Sequence, residues 1–474
     1  MSLSPSKQSE LVNMKYVSIL DPNKKTVSVT EAIINGQAPD GGLYVTTEFP
    51  EVKDYIGKSY EEIALAVLSL LLPEFSKNEL ADSIKQAYSE LLPVKMNGNF
   101  LETFHGNTFS FKDLPLQLYP YLLKLAKEKQ KVSLDTVILV ATSGDTGPAV
   151  LAGAAHVPGL FSIVLFPNKG VSYEQRLQMV TQEGNVCSIN ITGNYDDAQR
   201  AVRALLADNE FKNQFAGEKH FTTAASINVA RLLPQLTHFF WGYSEFVKAG
   251  KIKAGEQINF VVPSANFGNA LSCFYAKQMG LPIKQAILAT NENNVLYNFF
   301  KTGVYDKNRE FKVTLSTAMD ILHSTSLPRA LYKIYGAEET IRACDELNKY
   351  GKFTVDKSKL GFFYPGGFTT DEQTMERIKV VYDESGYLMD PHTAVAESVY
   401  HRYQKETGDE TPSIIISTAS PYKFVDIVER AIGKKLPPAP PRILELYKKE
   451  VIHNRSVKSA ELDAIKAEIT EVLS

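Results

Sequence analysis

Beyond the first 135 residues, short and continuously apolar segments alternate with amphipathic helical patterns. The apolar segments are rich in β-branched residues and cover 136–140, 162–166, 185–191, 258–262 and 413–416. They lack the polar alternation of half-exposed strands, as strands do when helices cover both faces of a parallel sheet. The pattern therefore predicts an α/β fold with a mostly parallel sheet.

The chain has 474 residues, which is too long for one hydrophobic core. Its first hundred residues combine a short sheet-like start with helical patterns, and a Pro-rich stretch, LPPAPPRI, precedes the final charged helical segment. We predict an N-terminal α+β domain over 1–95 and a core over 96–435 that contains a smaller subdomain at about 135–225. A connector and helical tail follow over 436–474.

Composition narrows the classes of function. Hydrophobic residues make up 44% and charged residues 22%, and the net charge of −3 gives no case for nucleic acid or an anionic membrane as a partner. No apolar run reaches transmembrane length, and the N-terminus lacks a signal-peptide pattern. The scattered cysteines, Cys187, Cys273 and Cys344, predict neither a disulfide framework nor a metal site. We expect a cytoplasmic protein that acts on a small molecule.

Lys112 lies between Phe111 and Asp113 in the segment FHGNTFSFKD. Apolar neighbours disfavour the charged form of an amine, which is what a Schiff-base lysine requires. Taken alone, the segment also fits an amphipathic surface lysine with a buried stem.

Three predicted strands end in loops of small and hydroxylated residues. PSANFGNAL at 263–271 opens a helix, so that its backbone N–H groups can converge on a phosphate. SGDTG at 143–147 repeats this arrangement and suits a carboxylate, and Asp145 is expected to contact a donor or a cation. STASPYKF at 417–424 places two hydroxyl groups where one can meet a ring nitrogen. Each loop also fits a simple helix cap.

In an open α/β sheet, such loops share the edge at the carboxyl ends of the strands. A lysine, a phosphate loop, a carboxylate loop and a strand-end hydroxyl together describe a pyridoxal phosphate pocket. A hydroxyl opposite the pyridine nitrogen is typical of the subset that performs eliminations and replacements at the β and γ carbons. His392, in GYLMDPHTAVA, has no evident partner in the sequence and is interpreted as structural.

The order of these motifs resembles one family over most of the chain. MKYVSI, FHGNTFSFKD, ATSGDTG, LFPNKGVSYEQRLQM, SINVAR, PSANFGN, ATNENNVLYNFFKTGVY, DPHTAVA and STASPYKF follow one another as in the threonine synthases of the longer bacterial and fungal type, within the tryptophan-synthase-β-like family. The resemblance implies a fold type II architecture with two open, mostly parallel sheets, and pyridoxal 5'-phosphate as cofactor. It implies conversion of O-phospho-L-homoserine and water into L-threonine and phosphate. We predict a monomer or a homodimer.

The resemblance also implies roles for individual residues. Lys112 resembles the Schiff-base lysine, and Thr418, next to Ser417, resembles the hydroxyl that faces the pyridine nitrogen. The residues that resemble the cofactor-phosphate loop are Ala265, Asn266, Phe267, Gly268 and Asn269. Those that resemble the loop for the substrate carboxylate and the cofactor's ring oxygen are Ser143, Gly144, Asp145 and Thr146. Those that correspond to the substrate-phosphate site are Lys169, Ser172, Ser226, Asn228 and Arg231.

The chain departs from the family pattern mainly on the substrate side. TTAASIN at 222–228 lacks two asparagines, Ser326 replaces another, and TASPYKF has Ser420 in place of a histidine, while Ala265 replaces a glycine of the phosphate loop. Loss of buried donors can shift substrate preference by orders of magnitude. The alternatives are a phospho-lyase that forms a 2-oxo acid, ammonia and phosphate from phosphohomoserine or phosphothreonine, a β-replacement enzyme, and a cofactor-binding protein without catalysis.

Overall fold

The computed structural model describes residues 15–88 and 94–474, so residues 1–14 and 89–93 of the predicted N-terminal domain lie outside the described residues. Strands in the described part of the chain are β1 (Tyr16–Ser18), β2 (Thr26–Val27), β3 (Tyr44–Thr46), β4 (Lys95–Asn97), β5 (Phe100–Glu102), β6 (Asp135–Ala141), β7 (Leu160–Pro167), β8 (Val186–Ile191), β9 (Lys219–Thr222), β10 (Ile258–Pro263), β11 (Ile283–Thr290), β12 (Val304–Asp306), β13 (Lys352–Thr354), β14 (Phe363–Phe368), β15 (Ser413–Ser417) and β16 (Ser456–Val457).

Helices cover the sheets and supply most of the remaining core. The α-helices are Val29–Asn35, Tyr60–Leu71, Lys77–Tyr88, Asp113–Leu116, Tyr119–Lys129, Thr146–Ala154, Tyr173–Val180, Tyr195–Ala207, Asn209–Asn213, Val229–Leu232, Leu236–Lys248, Gly268–Gln278, Val295–Thr302, Leu327–Tyr335, Ala337–Tyr350, Asp371–Ser385, Pro391–Thr407, Val425–Ile432, Pro441–Leu446 and Leu462–Leu473. Short 3-10 helices cover Leu233–Gln235, Thr317–Met319, Lys357–Leu360 and Pro421–Lys423.

The larger sheet has the strand order β14-β11-β10-β15-β5-β4, and every neighbouring pair is parallel except β4 and β5. The smaller sheet has the order β16-β8-β7-β6-β9 and is parallel throughout. An antiparallel sheet, β2-β1-β3, packs with helices at the N-terminal end. The predicted fold class, with two mostly parallel sheets and an N-terminal α+β region, is confirmed.

The strand order of the larger sheet places two of the predicted loops beside the segment that carries Lys112. β10, β15 and β5 are neighbours and parallel, so the segments that follow them leave the same edge of the sheet. These segments hold the loop at 263–271, Thr418 and Lys112. The loop at 143–147 follows β6 of the smaller sheet, so the two sheets face a common cleft.

The C-terminal segment completes the smaller sheet. β16 pairs in parallel with the edge strand β8, and Ile465 and Ile469 of the last helix are buried in the same apolar core as Leu205. The predicted tail therefore packs on the subdomain rather than standing apart. The domain boundaries themselves stay a prediction.

A close contact between two short helices fixes the position of the segment after Lys112. A β carbon added at Gly153 would lie 2.2 Å from the carbonyl oxygen of Leu116, which is too close for any side chain without movement of the backbone. The absence of a side chain at Gly153 therefore allows the helix Thr146–Ala154 to pack directly against the helix Asp113–Leu116.

We predict that Gly153→Ala lowers the free energy of unfolding by about 1–3 kcal/mol, because the two helices must separate. Urea unfolding monitored by circular dichroism measures the loss. Gly361→Ala is the matched control, since a β carbon there meets no atom within 4 Å. Equal stability of the two variants would contradict the close packing.

Candidate active site

Backbone pairing brings Lys112 and Thr418 to one cavity. The N–H of Phe111 donates to the carbonyl of Thr418 at 2.8 Å, and the N–H of Ser420 donates to the carbonyl of Phe109 at 3.0 Å. Phe109 has a φ of 60°, in the left-handed region that side-chain-bearing residues rarely adopt. The chain thus turns sharply just before Lys112, whose amine lines the cavity together with Thr418.

The carboxylate of Asp113 stabilises this turn. It is fully buried and accepts hydrogen bonds from the backbone N–H of Thr108 at 2.8 Å, from the Thr108 hydroxyl at 2.7 Å and from the Gln117 amide at 3.3 Å. All three donors are local to the turn, so Asp113 is a structural residue that holds Lys112 in place.

The environment of Lys112 favours a neutral amine. Burial lowers the pKa of Lys112 to about 7, the cations of Arg231 and Lys423 lower it as well, and Asp145 opposes them. The amine lies 4.0 Å from the centroid of the Phe111 ring. Near neutral pH the lysine is therefore both a nucleophile and a base, as a Schiff-base lysine must be.

The loop after β10 forms an anion cradle. Among the described residues, the backbone N–H groups of residues 265–270 have no hydrogen-bond acceptor. These residues come before the first internal hydrogen bond of the helix Gly268–Gln278. Phe267 adopts a φ of 69°, and its ring stacks on Phe300 with 5.4 Å between centroids. Ala265 is absent from the described residues with positive φ, so an alanine fits where the family has glycine.

Two buried polar atoms near this loop have no hydrogen-bond partner within the described chain. They are Nδ2 of Asn269 and the hydroxyl oxygen of Ser326, and Asn269 lines the cavity. Asn266 is held from both sides, since its amide donates to the Ser226 hydroxyl at 2.9 Å and accepts from the N–H of Thr325 at 3.1 Å. Converging amides and a spare amide donor fit a phosphate dianion, and with Lys112 they fit pyridoxal 5'-phosphate.

Thr418 and Ser417 differ in availability. The Ser417 hydroxyl lies 2.9 Å from the hydroxyl of Thr393 and accepts from the hydroxyl of Tyr387 at 3.3 Å. No described group bonds to the Thr418 hydroxyl, which lines the cavity. Of the two, Thr418 is placed to meet a ring nitrogen, as the sequence suggests.

In the loop after β6, Asp145 has a cationic partner. Its Oδ1 lies 2.6 Å from the ammonium of Lys423 and accepts from the Gln175 amide at 2.8 Å. Burial alone would raise the pKa of Asp145, but the Lys423 cation outweighs it and holds that pKa below its usual value. A β carbon on Gly144 would lie 2.6 Å from the Gln175 amide, so the glycine makes room for this contact.

The rest of this loop leaves amides for a carboxylate. The Thr142 hydroxyl accepts from the N–H groups of Gly144 and Gly147 at 3.0 and 2.9 Å. Within the described chain, no acceptor is found for the N–H groups of Ser143, Asp145 and Thr146. Asp145 lines the cavity with Lys112, and Thr146 lines the adjoining one, whereas Ser143 and Gly144 line neither.

The adjoining cavity, of about 620 Å³, shares Ser226, Arg231 and Asn266 with the cavity of Lys112. Arg231 is buried and is oriented by bonds to the Ala224 carbonyl at 3.0 Å and to the Thr146 hydroxyl at 3.1 Å. Burial lowers the pKa of Arg231 to about 10, so it stays charged at neutral pH. Further cationic or basic side chains on the wall are Arg203, Lys212 and His220. This cavity suits a second phosphate.

Three residues predicted for the substrate phosphate lie elsewhere. Lys169 is exposed and lines neither cavity. Ser172 caps the helix Tyr173–Val180. The Asn228 amide donates to the carbonyls of Ile33 and Thr223 and accepts from a backbone N–H, so it holds the backbone. A substrate role for these three stays a prediction that no contact supports.

Two further ionisable side chains lie near the site, Lys423 and His392. Lys423 was not among the predicted site residues, although a lysine inside an apolar strand-end motif is a usable signal. His392 lines the cavity, but its Nδ1 lies 2.6 Å from Asp390 and its Nε2 accepts from the N–H of Ala318 at 3.1 Å. Both ring nitrogens are occupied, in keeping with a structural role.

A larger groove, of about 1020 Å³, lies on the other side of the turn at 105–109. Its walls include several aromatic residues and prolines, among them Phe100, Tyr387 and Tyr422. It contains neither the amine nor the anion cradle, so the chemistry belongs to the smaller cavities.

Residues 15–88 and 94–474 contain neither a candidate membrane-spanning helix nor a candidate metal cluster. No helix there has the length and apolar content needed to cross a membrane. No three His, Cys, Asp or Glu side chains there cluster closely enough to hold a metal ion.

Comparison with known families agrees with this geometry. Residues 15–88 match the model "Threonine synthase N terminus", residues 101–358 match "Pyridoxal-phosphate dependent enzyme", and residues 393–469 match "Threonine synthase, C-terminal". The central match includes Lys112, the anion cradle and Arg231.

Individual proteins are similar over nearly the whole chain. Threonine synthase of Saccharomyces cerevisiae is 34% identical over 97% of this chain and 98% of its own. Threonine synthase-like 1 of Mus musculus is 33% identical over 98% of this chain and 68% of its own. The crystal structure of pyridoxal-phosphate-bound threonine synthase from Brucella melitensis has a TM-score of 0.86 at 30% identity, covering 97% of this chain and 99% of that one. The chain belongs to the threonine synthase family of pyridoxal-phosphate-dependent lyases.

Proposed function

We propose that this protein is a threonine synthase, which converts O-phospho-L-homoserine and water into L-threonine and phosphate. The observation that carries the proposal is a pair of adjoining anion sites, one of which lies in the same cavity as the lysine amine. The cradle at 265–270 suits the cofactor phosphate, and the cavity at Arg231 suits the phosphate of a substrate. A phosphorylated amino acid is the substrate class that uses both.

The amides of the loop at 143–147 complete the substrate site. The unengaged N–H groups of Ser143, Asp145 and Thr146 are suited to hold the substrate carboxylate, and the Arg231 guanidinium and Ser226 hydroxyl are suited to hold the phosphate. With both ends fixed, the substrate carbons between them are presented to Lys112.

When bound, pyridoxal 5'-phosphate supplies the electron sink that stabilises negative charge on the substrate carbons. Lys112 would hold the cofactor through its Nζ, and the same atom, when free, would take protons from the α and β carbons of the substrate. A pKa near 7 suits both removal and return of a proton. Arg231 neutralises the phosphate as it leaves the γ carbon, and water then adds at the β carbon.

A second candidate is a phospho-lyase that releases a 2-oxo acid, ammonia and phosphate. Thr222 and Ala225 stand where the family has asparagines, and both line the substrate cavity. Fewer amide donors there give less control of the step after phosphate departure. The similarity to threonine synthase-like 1 of Mus musculus is compatible with this candidate. A cytoplasmic location and a monomeric or homodimeric state stay predictions.

Product identification separates the two candidates. We expect the purified holoenzyme to convert O-phospho-L-homoserine into equal amounts of phosphate and L-threonine, measured by a phosphate assay and amino-acid chromatography. Formation of 2-oxobutyrate without threonine would overturn the proposal in favour of the lyase. Phosphothreonine serves as the second substrate in the same assay.

The role of Lys112 predicts the effect of its removal. We expect Lys112→Ala to abolish the visible absorbance of covalently held cofactor and to reduce turnover by several orders of magnitude. The reason is that Lys112 is assigned both the attachment of the cofactor and the transfer of protons. Lys435→Ala is the control, since that lysine is 90% exposed and paired with Glu429. Undiminished turnover in Lys112→Ala would refute the assignment.

The lowered pKa of Lys112 predicts the pH dependence of cofactor uptake. The neutral amine attacks the cofactor aldehyde, so protonation below a pKa of about 7 slows uptake and deprotonation above it gives a plateau. We expect the rate of uptake by cofactor-free protein, followed by absorbance, to be half-maximal near pH 7. A half-maximal rate near 10.5, the ordinary value for lysine, would show that the amine is not perturbed.

A further inference from the structure

One buried ion pair, between Lys423 and Asp145, has no role in the mechanism above. We propose that Lys423 is a positioning residue that occupies Asp145, ties it to the carbonyl of Thr108, and so prevents that carboxylate from pairing with the amine of Lys112. The inference rests on the proposed role of Lys112 and is independent of the substrate.

The contacts of Lys423 join three segments of the chain. Its side chain has no exposed surface and lies at the end of the 3-10 helix Pro421–Lys423, just beyond β15. The ammonium donates to the Thr108 carbonyl at 2.9 Å and lies 2.6 Å from Oδ1 of Asp145. Thr108 belongs to the turn before Lys112, and Asp145 belongs to the loop of the smaller sheet. One cation therefore connects both sheets with the turn that carries Lys112.

Stability alone does not account for this pair. Burying two charges costs several kcal/mol per ion before their attraction is counted, and hydrophobic replacements of similar volume are often neutral or stabilising. The bonds from Gln175 to Asp145 and from Gln178 to the Thr108 carbonyl show that the same acceptors also have uncharged partners. The charge at position 423 is therefore better explained by its effect on the neighbouring reactive groups than by stability.

The reason lies in the charges that face Lys112. Arg231 and Lys423 are the cations, and Asp145 is the carboxylate that lines the same cavity. Asp113, on the adjoining helix, is held by Thr108 and Gln117. His392, which also lines the cavity, is already paired with Asp390. Asp145 is therefore the group able to compete for the Lys112 proton.

These charges determine the direction in which each substitution shifts the pKa of Lys112. Removing the Lys423 cation takes away a charge that disfavours protonated Lys112 and leaves Asp145 free to pair with it, so both effects raise the pKa of Lys112. Removing the charge of Asp145 while Lys423 remains has the opposite sign. A purely structural residue would not produce shifts in opposite directions.

The test compares cofactor uptake against pH in four proteins: wild type, Lys423→Met, Asp145→Asn and the double variant. We expect the half-maximal pH to rise by about one unit in Lys423→Met, which slows uptake roughly tenfold at pH 6. It should fall in Asp145→Asn and return towards the wild-type value in the double variant. Lys435→Met, which alters an exposed lysine of the same region, should leave it unchanged.

The pH profile of phosphate release by each holoenzyme provides a second readout, and its rising limb should move in the same directions. Equal slowing of uptake at every pH, with an unmoved midpoint, would overturn the proposal and leave Lys423 as a packing residue. Circular dichroism checks the fold, and if Lys423→Met does not fold, the downward shift in Asp145→Asn decides. Because uptake involves no substrate, a lyase product would overturn the proposed function without affecting this result.

Discussion

Backbone hydrogen bonding between residues 109–111 and 418–420 is the constraint on which the site depends. These segments are more than 300 residues apart in sequence and leave neighbouring strands, β5 and β15, at the same edge. Because the bonds join main-chain atoms, they place Lys112 beside Thr418 whatever side chains surround them. This explains how Ser420 can differ from the family pattern while the lysine and the hydroxyl keep their relation.

The cavity controls its amine through charge as much as through burial. Arg231 acts twice, since it lowers the pKa of Lys112 and also faces the cavity that suits the substrate phosphate. Under the proposed function, a bound phosphate dianion would offset that guanidinium, so that Lys112 would be more basic with substrate present than after phosphate has left. The same lysine is thereby suited to take a proton early in the cycle and to give one back late.

Local patterns sufficed to predict the α/β class and the strand-end loops, because apolar strands and small-residue turns are visible in neighbouring positions. Lys112 became a candidate Schiff-base lysine only in combination with the loops at 143–147, 263–271 and 417–424. Contacts between distant segments could not be predicted in this way. The partner of Asp145 is Lys423, which lies beyond a strand of the other sheet. The exposure of Lys169 and the backbone bonds of Asn228 depend on how the loops finally pack. The tolerance of Ala265 likewise rests on its φ, which a sequence does not display.

β16 closes the edge of β8 with residues that lie 266 positions further along the chain. During synthesis the smaller sheet can assemble its other strands long before this one exists, so the rim of β8 stays open to any passing extended segment. Nascent chains on the ribosome and truncated chains therefore expose an unpaired strand edge at β8, which β16 covers in the full-length chain. Completion of the polypeptide is, for this sheet, also the step that protects it from aggregation.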